Sequence, residues 1–418
     1  MEFAKKPRWG ALLGALAACA SWACGDDPSR PQAEMLDPGD ADGGTPAKDA
    51  GPPLDCKTSR PDQDADYDTF TRAGGDCNDC DPLISPASFE VAGNDVDEDC
   101  DGTAQATPTS CDADLDAYSQ HADDAARALG LCNFAAQIDR KWGARYVAWS
   151  RLDGSATLED PRQVWLTDRF GAVTPHEGQR MLVLSTGVAR DEDERDYTPG
   201  CDVFSSQDQG QAGFSGGVAP PKNYPVDSSL CPAGSSQSSH SLAFNDVGLS
   251  LKIRIPNNAH GVSFDSIFFT YEYPSWVCSA FNDFFAVFKD GGDKSVVFDA
   301  HGDPVGVNTA LLSVCRPSEL AARKIACEQG PELLAGTGFD EGEATCGVTP
   351  ENADVGGAST GWLRTTVPVD PRKDYVTLLF RLWDSGDPKL DSTVLIDNLH
   401  FDVEAPAASS TIPINAAP

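Results

Sequence analysis

The chain has 418 residues and a formal charge of −34, which is length enough for more than one domain and a large core. So acidic a chain is repelled by nucleic acid and by anionic headgroups, which excludes nucleic-acid binding and suits cations instead. Its 14 cysteines read as disulfides if the protein is exported.

Export is written at the N-terminus. Lys5, Lys6 and Arg8 precede an apolar run, WGALLGALAA, over residues 9–18. That run is too short for a bilayer, which needs about 20 residues, and reads as a leader covering 1–18. Leu16-Ala17-Ala18-Cys19 resembles the lipobox of bacterial lipoproteins. The resemblance implies a lipid on Cys19 that holds the chain to a membrane, at the outer membrane or cell surface; Cys24 is the alternative, and an unlipidated secretory signal the plain reading. With Cys19 lipidated one of the remaining cysteines is odd, whereas with Cys24 lipidated all the rest can pair.

Residues 19–54 are dominated by Pro, Gly, Ala and Asp and are expected to form a disordered stalk. Between residues 55 and 116 there are 17 acidic residues against Lys57, Arg60 and Arg72. A module of this kind (55–110) folds only on metal or disulfides. Asp62, Asp64, Asp66 and Asp68 alternate, so that a tight loop can turn carboxylates onto one cation. An EF-hand does not fit, because its sixth position is Tyr67 and its twelfth Ala73. Further ligands are expected from Asp76, Asn78, Asp79 and Asp81, then Glu90, then Asn94, Asp95, Asp97, Asp99 and Asp101. The stretch contains neither His nor Met, so oxygen-loving calcium is the expected cofactor rather than copper, and Cys77-x-x-Cys80 lacks the second pair a zinc site needs.

These segments, DQDADYD, DCNDCDP, SPASFE and NDVDEDCDG, resemble the metal-binding repeat of myxobacterial and related surface proteins. That family is named after a copper-binding surface protein and is similar in style to thrombospondin type 3 calcium repeats. The resemblance covers roughly forty residues and implies a Cys77–Cys100 disulfide. Val91 stands where the family often has Cys, and Cys80 is extra.

Beyond the module, residues 111–404 are expected to form a mainly β fold, a jelly-roll-like β-sandwich with few short helices. A short helix is expected near DDAARALGLC, flanked by Cys111 and Cys132. A Ser- and Gly-rich loop over 200–241 is expected to be pinned by Cys201 and Cys231. Val247, Leu249, Leu251, Ile253 and Ile255 alternate with Gly and polar residues as in a half-buried strand. Residues 376–383 and 394–403 read as strands, 319–329 as a helix stopped by Gly330, and 405–418 as a disordered tail. The segments MLVLSTG, FFTYEYP, FNDFFAVF and DSTVLIDN resemble the choice-of-anchor L class of bacterial surface domains, which implies an extracellular sandwich held to the cell by varied anchors.

Glu272, Asn282, Asp283, Asp384 and Asp397, with Asp387 and Asp391, fit a second calcium site or polar groove, or else turn and cap positions. Phe268, Phe269, Tyr271, Phe284, Phe285 and Phe288 fit a core, while Trp276 and Trp362 fit an exposed aromatic surface. Residues 213–217 (GFSGG) match the serine-hydrolase pattern but lack its strand and helix, and the six histidines are scattered. The expected function is a calcium-binding, lipid-anchored surface protein that meets an extracellular protein or glycan, without catalysis. Calcium would stiffen the module, and its removal would loosen the module without unfolding the sandwich. The alternative is a secreted carbohydrate-active enzyme with an acidic spacer.

Overall fold

The structure, a computed structural model, describes residues 55–57, 59–104, 110–135, 140–201, 217–235, 237–238, 242–342, 346 and 356–414. The expected leader and stalk, with Cys19 and Cys24, and most of the 213–217 stretch lie outside the described residues.

The chain is mainly β. Its regular elements are α1 (Ala122–Ala128), β1 (Gly143–Trp149), β2 (Val164–Thr167), β3 (Met181–Ser185), β4 (Ala243–Arg254), β5 (Gly261–Thr270), β6 (Phe284–Lys289), β7 (Val305–Gly306), β8 (Ala358–Ser359), β9 (Leu363–Pro368), β10 (Tyr375–Ser385), β11 (Ser392–Asp402) and β12 (Ser410–Pro413). One antiparallel sheet runs β1-β4-β10-β6-β7, the other β12-β9-β5-β11-β3-β2 with β8 beside β5. The sheets share one core: Leu249, Leu251 and Ile253 from β4 and Leu378, Phe380 and Leu382 from β10 meet Val262 and Phe264 from β5 and Val394 and Ile396 from β11. Phe264 and Phe380 touch edge to face across the gap, with centroids 5.0 Å apart.

The alternation in β4 does what its period requires, since Ser250, Lys252 and Arg254 face outward, half-exposed. β5 departs from that simple rule: all ten of its residues are buried. Its second face, with Ile267 and Phe269, is covered by Val314, Leu334, Phe339 and Leu390 from loops. A loop carrying Val218 and Tyr224 likewise covers Phe284, Phe288 and Trp383. The aromatic group is therefore core. Trp362 is core as well, contrary to the exposed position expected of it: it is 5% exposed and stacks on His176 at 4.0 Å. Trp276 is half-buried.

Three further expectations are corrected. Residues 319–329 are not helical. Cys315 and Cys327 are joined, Cα atoms 5.0 Å apart, a closure that an eleven-residue helix about 16 Å long does not fit. Arg323 is drawn out instead to the carbonyl oxygens of Asn308 and Thr309. The tail is not wholly irregular, because β12 adds to the edge of β9 from Ser410 to Pro413. Cys201 and Cys231 do pin the loop, but to Cys346 and Cys278 rather than to each other. The short helix appears as α1, braced by Cys111–Cys132.

The acidic module has almost no helix or strand of its own, and it is docked on the sandwich. Asn258 makes a paired contact with the backbone of Phe89, accepting from its N–H at 3.0 Å and donating to its carbonyl at 2.8 Å. Asn257 Nδ2 reaches the Asp68 carbonyl at 3.1 Å and Ser85 Oγ at 2.9 Å. The Phe89 ring packs against the main core. From Pro52 onward the chain clusters as one unit.

Candidate metal centre

Two disulfides hold the module in place of a hydrophobic core: Cys56–Cys80 and Cys77–Cys100. The second is the pairing implied by the metal-repeat resemblance. The first uses the extra cysteine, Cys80, whose partner the sequence did not single out. All twelve cysteines after Cys24 pair among themselves, so if Cys19 carries a lipid the odd cysteine is Cys24.

Within this frame the alternating aspartates separate by role. Asp62 points to solvent against Arg60. Asp64 spends both oxygens on backbone, accepting from Tyr67 N–H at 2.7 Å and Thr69 N–H at 2.9 Å. Those two bonds hold Tyr67 and Thr69 at φ of 68° and 83°, a left-handed conformation that non-glycine residues adopt only when held there. The resulting loop turns Asp66 and Asp68 toward Asp76.

Asp66, Asp68 and Asp76 share one arrangement. Each uses Oδ1 to accept a backbone N–H two residues ahead, from Asp68 at 3.3 Å, Phe70 at 2.7 Å and Asn78 at 2.8 Å. In all three Oδ2 is buried and receives no hydrogen bond. Carboxylate oxygens of the three lie within 4.8 Å of one another. Buried acceptors without donors are rare and costly, and three carboxylates this close together could hold a cation between them. Burial first, then the Asp68 charge, raises Asp66 to about 7; burial chiefly, with Asp76 adding to it, raises Asp68 to about 6. Asp76 is raised for the same leading reason.

Asp79 also converges with Asp64 and Asp66, but its oxygens are taken by Ala65 N–H and Ser59 Oγ, with Arg72 nearby. We read that group as scaffold. A second group, Glu90, Asp97 and Asp99, brings oxygens within 4.8 Å. Glu90 Oε1 accepts from Glu98 and Asp99 N–H groups, while its Oε2 is buried with no donor. Burial also raises Glu90 and Asp99.

Other expected ligands shape the turns. Asp81 accepts from Leu83 N–H, and Asn94 from Val96 N–H. The Asn78 carbonyl receives the Cys80 and Asp81 N–H groups. Asp95 is exposed at φ 58°, and Asp101 is exposed and accepts from Thr103. Glu98, which sequence reasoning passed over, is 6% exposed and binds the Val91 N–H and the Asn94 amide. Its only signal was the carboxylate in an otherwise aspartate-rich run.

In the sandwich, Glu272, Asp283 and Asp384 are brought together with Asp391, and Asn282 stands beside them, accepting from Asn308 N–H. Asp397 belongs elsewhere: it receives the N–H groups of His176, Glu177 and Asn398, opposite Asp265 in the β5–β11 pairing. No family model, curated protein or solved structure matches the chain.

Proposed function

We propose that the chain is a calcium-binding, lipid-anchored protein of the bacterial cell surface, with a binding or structural role. The observation that carries the reading is the set of buried, donor-less oxygens on Asp66, Asp68 and Asp76. All-oxygen ligation without His or Met favours calcium over softer metals, and Glu90 and Asp99 would contribute to a second site beside Asp97, whose two oxygens accept the Asp101 and Gly102 N–H groups. Calcium replaces the water these carboxylates have lost and cancels their mutual repulsion. It thereby fixes a module that two disulfides brace internally and that the Asn257 and Asn258 contacts join to the sandwich. The leader and the Leu16–Cys19 sequence support a membrane tether, and six disulfides fit an oxidising compartment.

Equilibrium dialysis against calcium tests the reading. The wild-type chain should retain at least one ion more than an Asp66→Asn/Asp68→Asn/Asp76→Asn variant; equal retention would refute it. Tethering is tested separately, by whether Cys19→Ala or Cys24→Ala releases the protein from membranes.

One observation favours the enzyme reading as a second choice. A groove of about 800 Å³ between module and sandwich is lined by Trp142 and Phe401 and by Glu90, Asp99, Glu177 and Asp402. Burial raises Glu177, as a general acid requires. Polysaccharide hydrolysis that is lost in Glu177→Gln would establish it.

A further inference from the structure

Just past α1 the chain turns at Gly130, φ 91°, and Leu399 of β11 donates its N–H to the Leu129 carbonyl at 2.7 Å. That bond sets the loop after α1 beside the end of β11. The module arrives at the same place through Phe89, held by Asn258. Between them lies the groove of about 800 Å³, toward the upper end of the ~300–1,000 Å³ usual for ligand sites. A Cβ at residue 130 would come within 3.0 Å of Glu177 Oε2, so glycine there leaves that carboxylate uncovered.

The lining of the groove combines two properties. Phe89, Leu131, Trp142, Leu399 and Phe401 make it apolar, with Trp142 set edge to face on Phe401 at 5.9 Å. Glu90, Asp99, Asp101, Glu177 and Asp402 give it carboxylates, and no lysine or arginine is among the described residues that line it. Lys141 acts on Asp99 and Asp101 from nearby, and His400 faces Asp402 at 3.6 Å. Glu177 stands apart, because among the described residues its carboxylate accepts no hydrogen bond and joins no ion pair. A ligand that suits both properties brings positive charge on apolar stems. Lysine and arginine do so, laying methylenes on apolar surface while the charged head meets a carboxylate, and arginine also stacks on indole. A neutral glycan would stack on Trp142 but leave the carboxylates uncompensated.

We propose that this groove docks a basic, extended segment of a partner polypeptide. Its lysine or arginine heads meet Glu177 and Asp402, and the apolar residues between them lie against Leu131, Leu399 and the Trp142 ring. Such docking rests on the binding role proposed above but not on the calcium ligands Asp66, Asp68 and Asp76. The charge of −34 draws a basic segment in from a distance, and the groove then fixes its register.

The test is fluorescence anisotropy on the full chain in calcium, with a fluorescein-labelled peptide of alternating arginine and leucine as the probe. Saturable binding is expected, at least ~10-fold weaker in Glu177→Gln and in Trp142→Ala. It should stay within about twofold of wild type in Asp193→Asn, which removes an exposed carboxylate outside the groove. The matching peptide of glutamate and leucine should not bind. Absence of saturation overturns the proposal, and so does an equal loss in Asp193→Asn and Glu177→Gln, because the acidic surface at large then holds the peptide. Should Trp142→Ala fail to fold, Glu177→Gln decides alone. A neutral cello-oligosaccharide that binds where the arginine peptide does not also overturns it and gives the groove to the carbohydrate reading. Peptide binding by a chain that retains no calcium would sink the module site and leave this one standing.

Discussion

Asp68→Asn should change the sign of its effect on stability according to whether calcium is present. Asp68 is 4% exposed and held at about 6 by burial first. An unfolded aspartate titrates near ~3.9, so ionisation of Asp68 at pH 8 costs the ion-free fold at most ~3 kcal/mol. Partial water access lowers that to roughly half. A raised folded-state value means that stability is greatest below pH ~4 and is lost as pH rises through about 6. In chelator at pH 8, asparagine removes that cost, and the variant should melt higher than wild type by a few degrees. The advantage should vanish below pH ~4, where Asp68 carries its own proton. In calcium the order inverts, because asparagine removes one charged ligand. An ion at about 100 times its Kd contributes ~2.7 kcal/mol, most of which the variant forfeits. Thermal melts followed by near-UV circular dichroism, in chelator and in calcium, read both arms. A variant that is less stable in both conditions would show that Asp68 is a structural hydrogen-bonding residue rather than a ligand.

Other substitutions probe the frame around the site. Asp265 is fully buried; burial pushes it up, but the Arg364 fork at 2.7 and 2.8 Å, with Asn398 and His176, brings it below its ordinary value. Its contribution is therefore present above pH ~4 and lost as pH falls further, and Arg364→Ala should cost ~3–5 kcal/mol by denaturant titration at pH 7. Replacing both Cys56 and Cys80 by Ser opens a closure spanning 24 residues, worth ~3 kcal/mol. Because Cys80 lies between Asp79 and Asp81, calcium affinity measured by calorimetry should fall with it. Asn258→Ala removes both bonds to Phe89 and should cost ~2 kcal/mol. Limited proteolysis should then cut within residues 55–104 while the sandwich stays whole. Calcium affinity itself should drop about tenfold from pH 7 to pH 6, as protons compete at Asp66 and Asp68.

The strands that position the site were legible because their periodicity is local. In β4 the alternating Val247, Leu249, Leu251 and Ile253 gave face and span together, and the DxDxD pattern marked the module. What escaped was set by long-range closure. Residues 319–329 carry helix-forming composition and a Gly stop, yet the Cys315–Cys327 link and the pull on Arg323 override both. Trp362 lies beside turn residues, yet it is buried in the second core with His176 stacked on its ring. Within the module, the spacing marked every carboxylate equally. Only the backbone hydrogen bonds separate Asp64, which spends both oxygens, from Asp66 and Asp68, which keep one free. Asn257 and Asn258 carry no motif, because their role depends on a partner roughly 170 residues away.

Calcium calorimetry of residues 25–418, beside the Asp66→Asn/Asp68→Asn/Asp76→Asn variant, tests the central claim most directly. Saturable binding by the wild-type chain, reduced by at least one ion in the variant, is the expected result. Identical titrations of the two proteins, or no saturable heat from either, would contradict it.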